Sequence, residues 1–216
     1  MHQAGRAGRG GMLERRAKRD LFWGEAMMRA HDDTGRPPFS RPLAVDSVGE
    51  NGLRLVLEAS EEERSALAEQ DGLLGISALT VEAEVTRRGR DRLRVKGRVR
   101  AVVAQTCVVT LEAFDSSIDE PFEVEYAPEA EAEAEYARAM AEIEAAQDKA
   151  GALAAQPDPP DPIVNGKIDL GALAAEFLAL GLDPYPRKPG AEFSPLIEDA
   201  GEKPSPFAAL SKLKKD

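Results

Sequence analysis

The residues best suited to chemistry in this sequence are cationic. Between Thr86 and Arg100 stand eight basic residues, Arg87, Arg88, Arg90, Arg92, Arg94, Lys96, Arg98 and Arg100, against a single acid, Asp91. The last five alternate with apolar or small residues, so on a β-strand they share one face. A row of cations at that spacing suits the tracking of a phosphate backbone. The same pattern also fits a solvated sheet face held by cross-strand ion pairs, and both readings stay open. No aromatic residue interleaves the row, which argues against base stacking of the single-strand type.

Nothing comparable supports catalysis. The two histidines, His2 and His31, both stand in an N-terminal arm. A Ser-His-Asp or Cys-His device needs a positioned base within the fold. A zinc site needs about four ligands at suitable spacing, and one cysteine with two arm histidines does not supply them. There is no Gly-rich phosphate loop of the Walker or dinucleotide type. The expectation is a protein with no catalytic residues, no metal and no cofactor. Cys107 is the one cysteine. It cannot form an internal disulfide and fits a reducing, cytoplasmic compartment. Its neighbours Val102, Val103, Val108 and Val109 point to a buried, small apolar thiol.

The elements that would position these residues can be read from composition and period. The chain has 216 residues, 43 % hydrophobic and only 5 % aromatic, with a net charge of −11. A core of Val, Leu, Ile and Ala follows. The uncharged run Ala101 to Leu111 is about half the length of a membrane span, and Leu170 to Leu182 is interrupted by Glu176, so no membrane helix is expected. Residues 1–35 read as a basic, disordered extension without the apolar region of a secretory signal; an Arg-rich transit peptide is the alternative. Residues 36–190 read as one domain and 191–216 as a flexible tail.

Within that domain, Phe39 to Val48 reads as a strand, followed by a turn at residues 49–52. A second strand, antiparallel to the first, carries Leu53, Leu55 and Leu57 on one face. Ser60 and Glu63 form a capping-box pattern that starts a helix, stopped by Asp71-Gly72. Leu79, Val81, Ala83 and Val85 alternate on the next strand, and Leu93, Val95, Gly97, Val99, Ala101 and Val103 on the one after. Both apolar sets must face the same side, which requires an odd loop. Residues 88–90 satisfy this by placing Val85 opposite Leu93. That register sets Glu84 against Arg94 and Glu82 against Lys96. Two further strands, Cys107 to Phe114 and Ile118 to Tyr126, would be joined by a turn at residues 115–117. Pro121 suggests an edge position or a strand start.

Composition then turns acidic. Thirteen acids stand against Arg138 between Glu112 and Asp148. An Ala/Glu-rich insert at about 128–157 reads as a helix with Tyr136, Met140 and Ile143 as its apolar stripe, then a Pro-Asp linker. Asp169 caps a last helix that buries Leu170, Leu173, Ala174, Phe177 and Leu178. Gly181 ends it, and Asp183-Pro184-Tyr185-Pro186 prevents continuation. The fold class is α+β, a mostly antiparallel, curled sheet with two or three packed helices.

Two segments carry a family resemblance. One runs from Val95-Lys96-Gly97-Arg98-Val99 to Cys107-Val108-Val109-Thr110-Leu111-Glu112. The other is Ile168-Asp169-Leu170-Gly171 through Glu176-Phe177-Leu178-Ala179-Leu180 to Asp183-Pro184-Tyr185-Pro186-Arg187. With Pro206-Phe207-Ala208-Ala209-Leu210 in the tail, they resemble the YceD family, especially its alphaproteobacterial branch. The residues that carry the motif are Cys107, Leu111, Asp169, Leu170, Glu176, Leu180, Asp183, Pro184 and Tyr185. The resemblance implies a role in 23S rRNA accumulation, through its synthesis, processing or stability, and in large-subunit biogenesis. The resemblance leaves the mechanism open, and the charge pattern offers two kinds of partner: ribosomal RNA or a pre-ribosomal particle reached through the basic hairpin, or alternatively a basic ribosomal or assembly protein held by the acidic segment. Many members carry a second cysteine three positions on from the one matching Cys107. Here that position is Thr110, which puts a metal or redox role in doubt.

Overall fold

The structure, a computed structural model, describes residues 37–148, 150–151 and 158–192. The N-terminal extension, residues 152–157 of the Pro-Asp linker and the tail from 193 onward, with Pro206 to Leu210, lie outside the described residues. Strands β1 (Pro42–Ala44), β2 (Leu53–Glu58), β3 (Gly75–Arg88), β4 (Arg92–Thr106), β5 (Ala113–Pro128), β6 (Asp161–Ile163) and β7 (Lys167–Asp169) alternate with helices α1 (Glu61–Gln70), α2 (Glu129–Ala145) and α3 (Leu170–Gly181). The main sheet has the order β2-β3-β4-β5-β6 and does not close. Every pairing in it is antiparallel except β5 with β6. The α+β expectation therefore holds, with three helices among the described residues.

Three long strands dominate because their sequences alternate without a break. Val81, Val85, Leu93, Val95, Val99 and Val103 are all fully buried. Residues 93, 95, 97, 99 and 101 lie opposite 126, 124, 122, 120 and 118 of β5, so the inner face is continuous across the hairpins. Helix α3 packs on β4 and β5, and α1 packs on β3. The capping box of α1 is present, with Ser60 accepting from the Glu63 N–H and Glu63 accepting from the Ser60 N–H. Leu67 is the fully buried contact of that helix.

Four details differ from the sequence reading. The segment Phe39 to Val48 is not one strand. It holds the short β1 and a 3-10 turn at Val45–Ser47, and β1 pairs with β7 rather than β2. The β3–β4 loop comprises residues 89–91, one position later than expected, with Gly89 at φ 74°. Val85 therefore faces Val95, Glu84 faces Lys96 and Glu82 faces Arg98. The apolar faces still coincide, because parity depends on the loop being odd and not on where it starts. Cys107 to Phe114 is not a strand. Residues 107–112 form the turn, and residues 115–117, composed like a turn, pair with β4 inside β5. Ser116 there donates its hydroxyl to the Gln105 amide oxygen at 2.8 Å. Pro121 also lies inside β5, at a point where β6 has not yet joined, so its missing N–H faces an edge. Finally, α2 buries Ala132 and Ile143, with Glu135 and Ala139 partly covered, whereas Tyr136 and Met140 are exposed.

Candidate interaction surface

Register decides what the cationic row can do. On the outer face, β2, β3, β4 and β5 place Arg54, Glu84, Lys96 and Glu123 in one cross-strand row of alternating sign. The next rows place Glu82 beside Arg98 and Arg100 beside Asp119. Ion pairs form along and across these rows. Arg98 meets Asp119 at 2.6 Å, Arg100 meets Glu82 at 2.6 Å, and Lys96 meets Glu123 at 3.0 Å. Arg94 pairs with Glu123, and with Glu125 at 4.0 Å. Four of the five alternating cations on β4 thus have carboxylate partners on the neighbouring strands.

Arg92 at the start of β4 is held by α2. It reaches Glu131 at 2.6 Å and also Glu135. These two hydrogen bonds, Glu131 first, raise the guanidinium pKa further above its already high ordinary value. Arg87 is used structurally. Its Nε donates to the Val48 carbonyl at 2.6 Å and Nη2 to the Val45 carbonyl at 3.0 Å, fastening the hairpin to the 3-10 turn. Only Arg88 and Arg90, at the hairpin tip, are exposed cations of the row without an ion pair among the described residues. Isolated surface pairs contribute little to stability. A lattice of them nonetheless cancels the field that phosphate would feel.

The sequence reading saw that Glu82 and Glu84 oppose the cations. It missed Asp119, Glu123, Glu125, Glu131 and Glu135. The available signal is the acidic alternation at residues 119, 123 and 125, which the turn-like composition of residues 115–117 hides.

The motif residues form a second locus. The turn after β4 is closed by the Leu111 N–H on the Cys107 carbonyl and the Cys107 N–H on the Glu112 carbonyl, both 2.9 Å. Leu111 takes a left-handed φ of 60° and is 78 % exposed. The segment after α3 docks here, with the Val108 N–H donating to the Pro186 carbonyl at 2.9 Å and Lys188 pairing with Glu112 at 2.9 Å. The Asp183 carboxylate accepts from the Tyr185 N–H at 2.9 Å, and the Tyr185 ring stands 71 % exposed between Pro184 and Pro186. The fold therefore brings Cys107 and Leu111 together with the 183–188 segment. Asp169 and Leu170 begin α3, Glu176 is half-buried and Leu180 packs on the core.

Cys107 is sealed from solvent within this turn, just below the surface. The Thr110 N–H donates to its Sγ at 3.4 Å. The thiol pKa is held down from 9.0 to about 7, chiefly by the Thr110 side chain, against burial and with help from backbone amides of Lys188, Thr110 and Val109. Thr110 thus acts on the sulfur from the position where a second cysteine would stand. No cluster of three or more His, Cys, Asp or Glu able to hold a metal occurs among the described residues. Because the folded thiol ionises more readily than the unfolded one, folding gains stability as pH rises from about 7 to 9.0. In Thr110→Val, the midpoint of thiolate absorbance should move up from about 7 towards 9.0, with that gain flattened. An unchanged midpoint would refute the role given to Thr110.

No helix of the described residues is long and apolar enough to cross a membrane. Comparison with known proteins gives one finding. A family model described as large ribosomal RNA subunit accumulation protein YceD matches residues 95–214, more than half of the chain. No curated protein and no solved structure gives a match.

Proposed function

This chain belongs to the YceD family, and on that premise we propose that it supports large-subunit ribosomal RNA accumulation as a non-catalytic binding factor in the cytoplasm, holding a basic ribosomal or assembly protein on its acidic side. One observation carries the reading: every alternating cation of β4 already has a carboxylate partner on β3, β5 or α2. Phosphate contact along the row would first have to break these pairs. Meanwhile Glu129, Glu133 and Glu144 of α2 stay exposed with no ion-pair partner among the described residues. An acidic surface repels nucleic acid and steers cationic partners.

A second reading keeps direct RNA contact and is favoured by Arg88 and Arg90 alone. A salt series separates the two. Binding of the full chain to 23S rRNA fragments should be weak, with a log–log salt slope no steeper than about −2, the value for two phosphate contacts. Purified basic large-subunit proteins should bind tightly. A slope of about −5 or steeper, abolished in the Arg98→Glu/Arg100→Glu double variant, would mean that the lattice opens onto RNA and would overturn the first reading.

A further inference from the structure

We propose that the outer edge of β2 pairs with β2 of a second copy of this chain, antiparallel, about a twofold axis at Val56. The main sheet does not close, and β2 stands at its end. The Ala59 N–H donates to the Leu79 carbonyl at 3.1 Å, continuing the register that sets Glu58 against Thr80. In an antiparallel ladder, the residues that bond a given neighbour alternate. Leu53, Leu55 and Leu57 therefore bond β3, while the N–H and C=O groups of Arg54, Val56 and Glu58 point away from it. Of these groups, the Glu58 carbonyl accepts from Arg41 Nη2 at 3.2 Å. The others have no hydrogen-bond partner among the described residues.

The side chains of this edge are also incompletely covered. Val56 is 67 % exposed in the middle of the outer face, between the exposed Arg54 and Glu58. Leu53, Leu55 and Leu57 turn to the core side yet stay half-buried, although Val85, Ala83 and Val81 opposite them on β3 are buried. A strand added outside β2 would cover all three. Open edges are ordinarily blunted by proline, lysine or a bulge. β2 has none of these.

Register and charge identify the occupant. The outward groups belong to residues 54, 56 and 58, so an axis relating two copies must pass through one of them. At residue 54 it would set Arg54 against Arg54, and at residue 58 Glu58 against Glu58. At Val56 it sets Val56 against Val56, Arg54 against Glu58 twice, and Leu55 against Leu57 twice on the core side. Opposite charges directly across a ladder are favourable and like charges unfavourable. The run Arg54-Leu55-Val56-Leu57-Glu58 thus reads alike from either end, with opposite charges at its ends. That is the self-complementarity an isologous twofold contact requires. Within one chain Arg54 is held loosely, 3.5 Å from Glu84 with its side chain 83 % exposed. Glu58 has no ion-pair partner among the described residues. Two five-stranded sheets would become one.

Sedimentation velocity of the full chain tests this. A short edge-to-edge contact is small, so the dimer should be reversible. The mass should rise from 23.3 kDa towards twice that over a concentration series reaching about 1 mM. Arg54→Glu should weaken dimerisation about 30-fold, because both symmetry-related pairs become repulsive. Glu58→Arg should do the same, and the Arg54→Glu/Glu58→Arg double variant should recover the original affinity. Val56→Pro removes an N–H that the fold does not use, so it should abolish the dimer while circular dichroism stays that of a folded chain. Should that variant unfold, hydrogen exchange in the unaltered chain decides. The Val56 amide should be protected at high concentration and exchange freely on dilution, with the Leu55 and Leu57 amides protected at both. A single 23.3 kDa species throughout would overturn the proposal. So would a dimer indifferent to the charge reversals or persisting in Val56→Pro, or a Val56 amide that exchanges alike at both concentrations.

Discussion

Gly97→Ala is expected to destabilise the fold by about 3 kcal/mol, far more than an exposed strand substitution, because the missing side chain at residue 97 is where the layers meet. A Cβ at this position would run into the Glu82 carbonyl of β3 and the edge of the Phe122 ring of β5. The carbonyl belongs to Glu82, which pairs with Arg98 next to the Gly97–Ala83 pair, and it cannot move without disturbing the ladder. Phe122 is buried and lies across the strand from Gly97. Its ring centroid is 5.1 Å from that of Phe177 on α3, tilted by 31°. Phe122 therefore fills the space that glycine leaves and carries α3 onto the sheet. Pushing it out adds the loss of an aromatic pair, about 1 kcal/mol, to the overpacking cost. Urea denaturation of Gly97→Ala, Phe122→Leu and the double variant tests this as a cycle. The double variant should cost at least about 1 kcal/mol less than the sum of the singles, because a smaller side chain makes room for the new methyl group. A Gly97→Ala cost below about 1 kcal/mol would remove this account of the junction.

Gly97 also marks the limit of what the sequence discloses. It stands in an apolar alternation, and glycine inside a strand signals a close approach. Which side chain approaches depends on the β4–β5 register, and that register was hidden by a second ambiguity. Residues 115–117 have turn composition but lie mid-strand, because the tertiary ladder and Ser116 satisfy their polar groups. Residues 107–112 are rich in Val and Leu but form the turn, at the expense of an exposed Leu111 in a left-handed conformation. Local composition points the wrong way at both places, and long-range pairing prevails. The candidate surface inherited the same error. The cations of β4 were legible one by one, while their neutralisation needed the neighbouring strand. For α2 the limit is different. Tyr136, Met140 and Ile143 have helical spacing, but the body covers the line through Ala132, Glu135, Ala139 and Ile143, with Glu131 and Glu135 beside it reaching Arg92. The rotation of the helix thus goes with contacts 39 and 43 residues distant in sequence, which local spacing does not disclose.

The parts read correctly were those in which one short-range cause suffices, and Asp169 is the sharpest of them. Its Oδ1 accepts from the N–H groups of Gly171 at 2.9 Å and Ala172 at 3.1 Å, an N-cap on α3. The same oxygen accepts from the Arg41 N–H at 2.7 Å, and Oδ2 accepts from the Ser40 hydroxyl at 2.6 Å. One carboxylate therefore caps the helix and fixes the chain entering β1, which also pairs with Asp169 through Pro42. Close approach leaves no slack, since a Cβ on Gly171 would lie 2.8 Å from the Arg41 nitrogen and the Phe39 carbonyl oxygen. Asp169→Ala should cost about 3 kcal/mol, combining a lost cap with the stranded donors of Ser40 and Arg41. Asp169→Asn keeps the Oδ1 acceptor and turns a donor towards a hydroxyl that can rotate to accept, so about 1 kcal/mol is expected, mainly from the lost charge at the helix N-terminus. Ser40→Ala removes one bond and should cost about 1 kcal/mol. Thermal and urea unfolding should place Asp169→Ala well above the other two variants in cost. Should Asp169→Ala prove no worse than Asp169→Asn, the charge lost in both would account for the residue, and neither the Oδ1 acceptor nor the contacts to Ser40 and Arg41 would contribute. The anchoring of β1 would then have to come from elsewhere, with the bidentate contact of Arg41 to Glu63 of α1 as its remaining support.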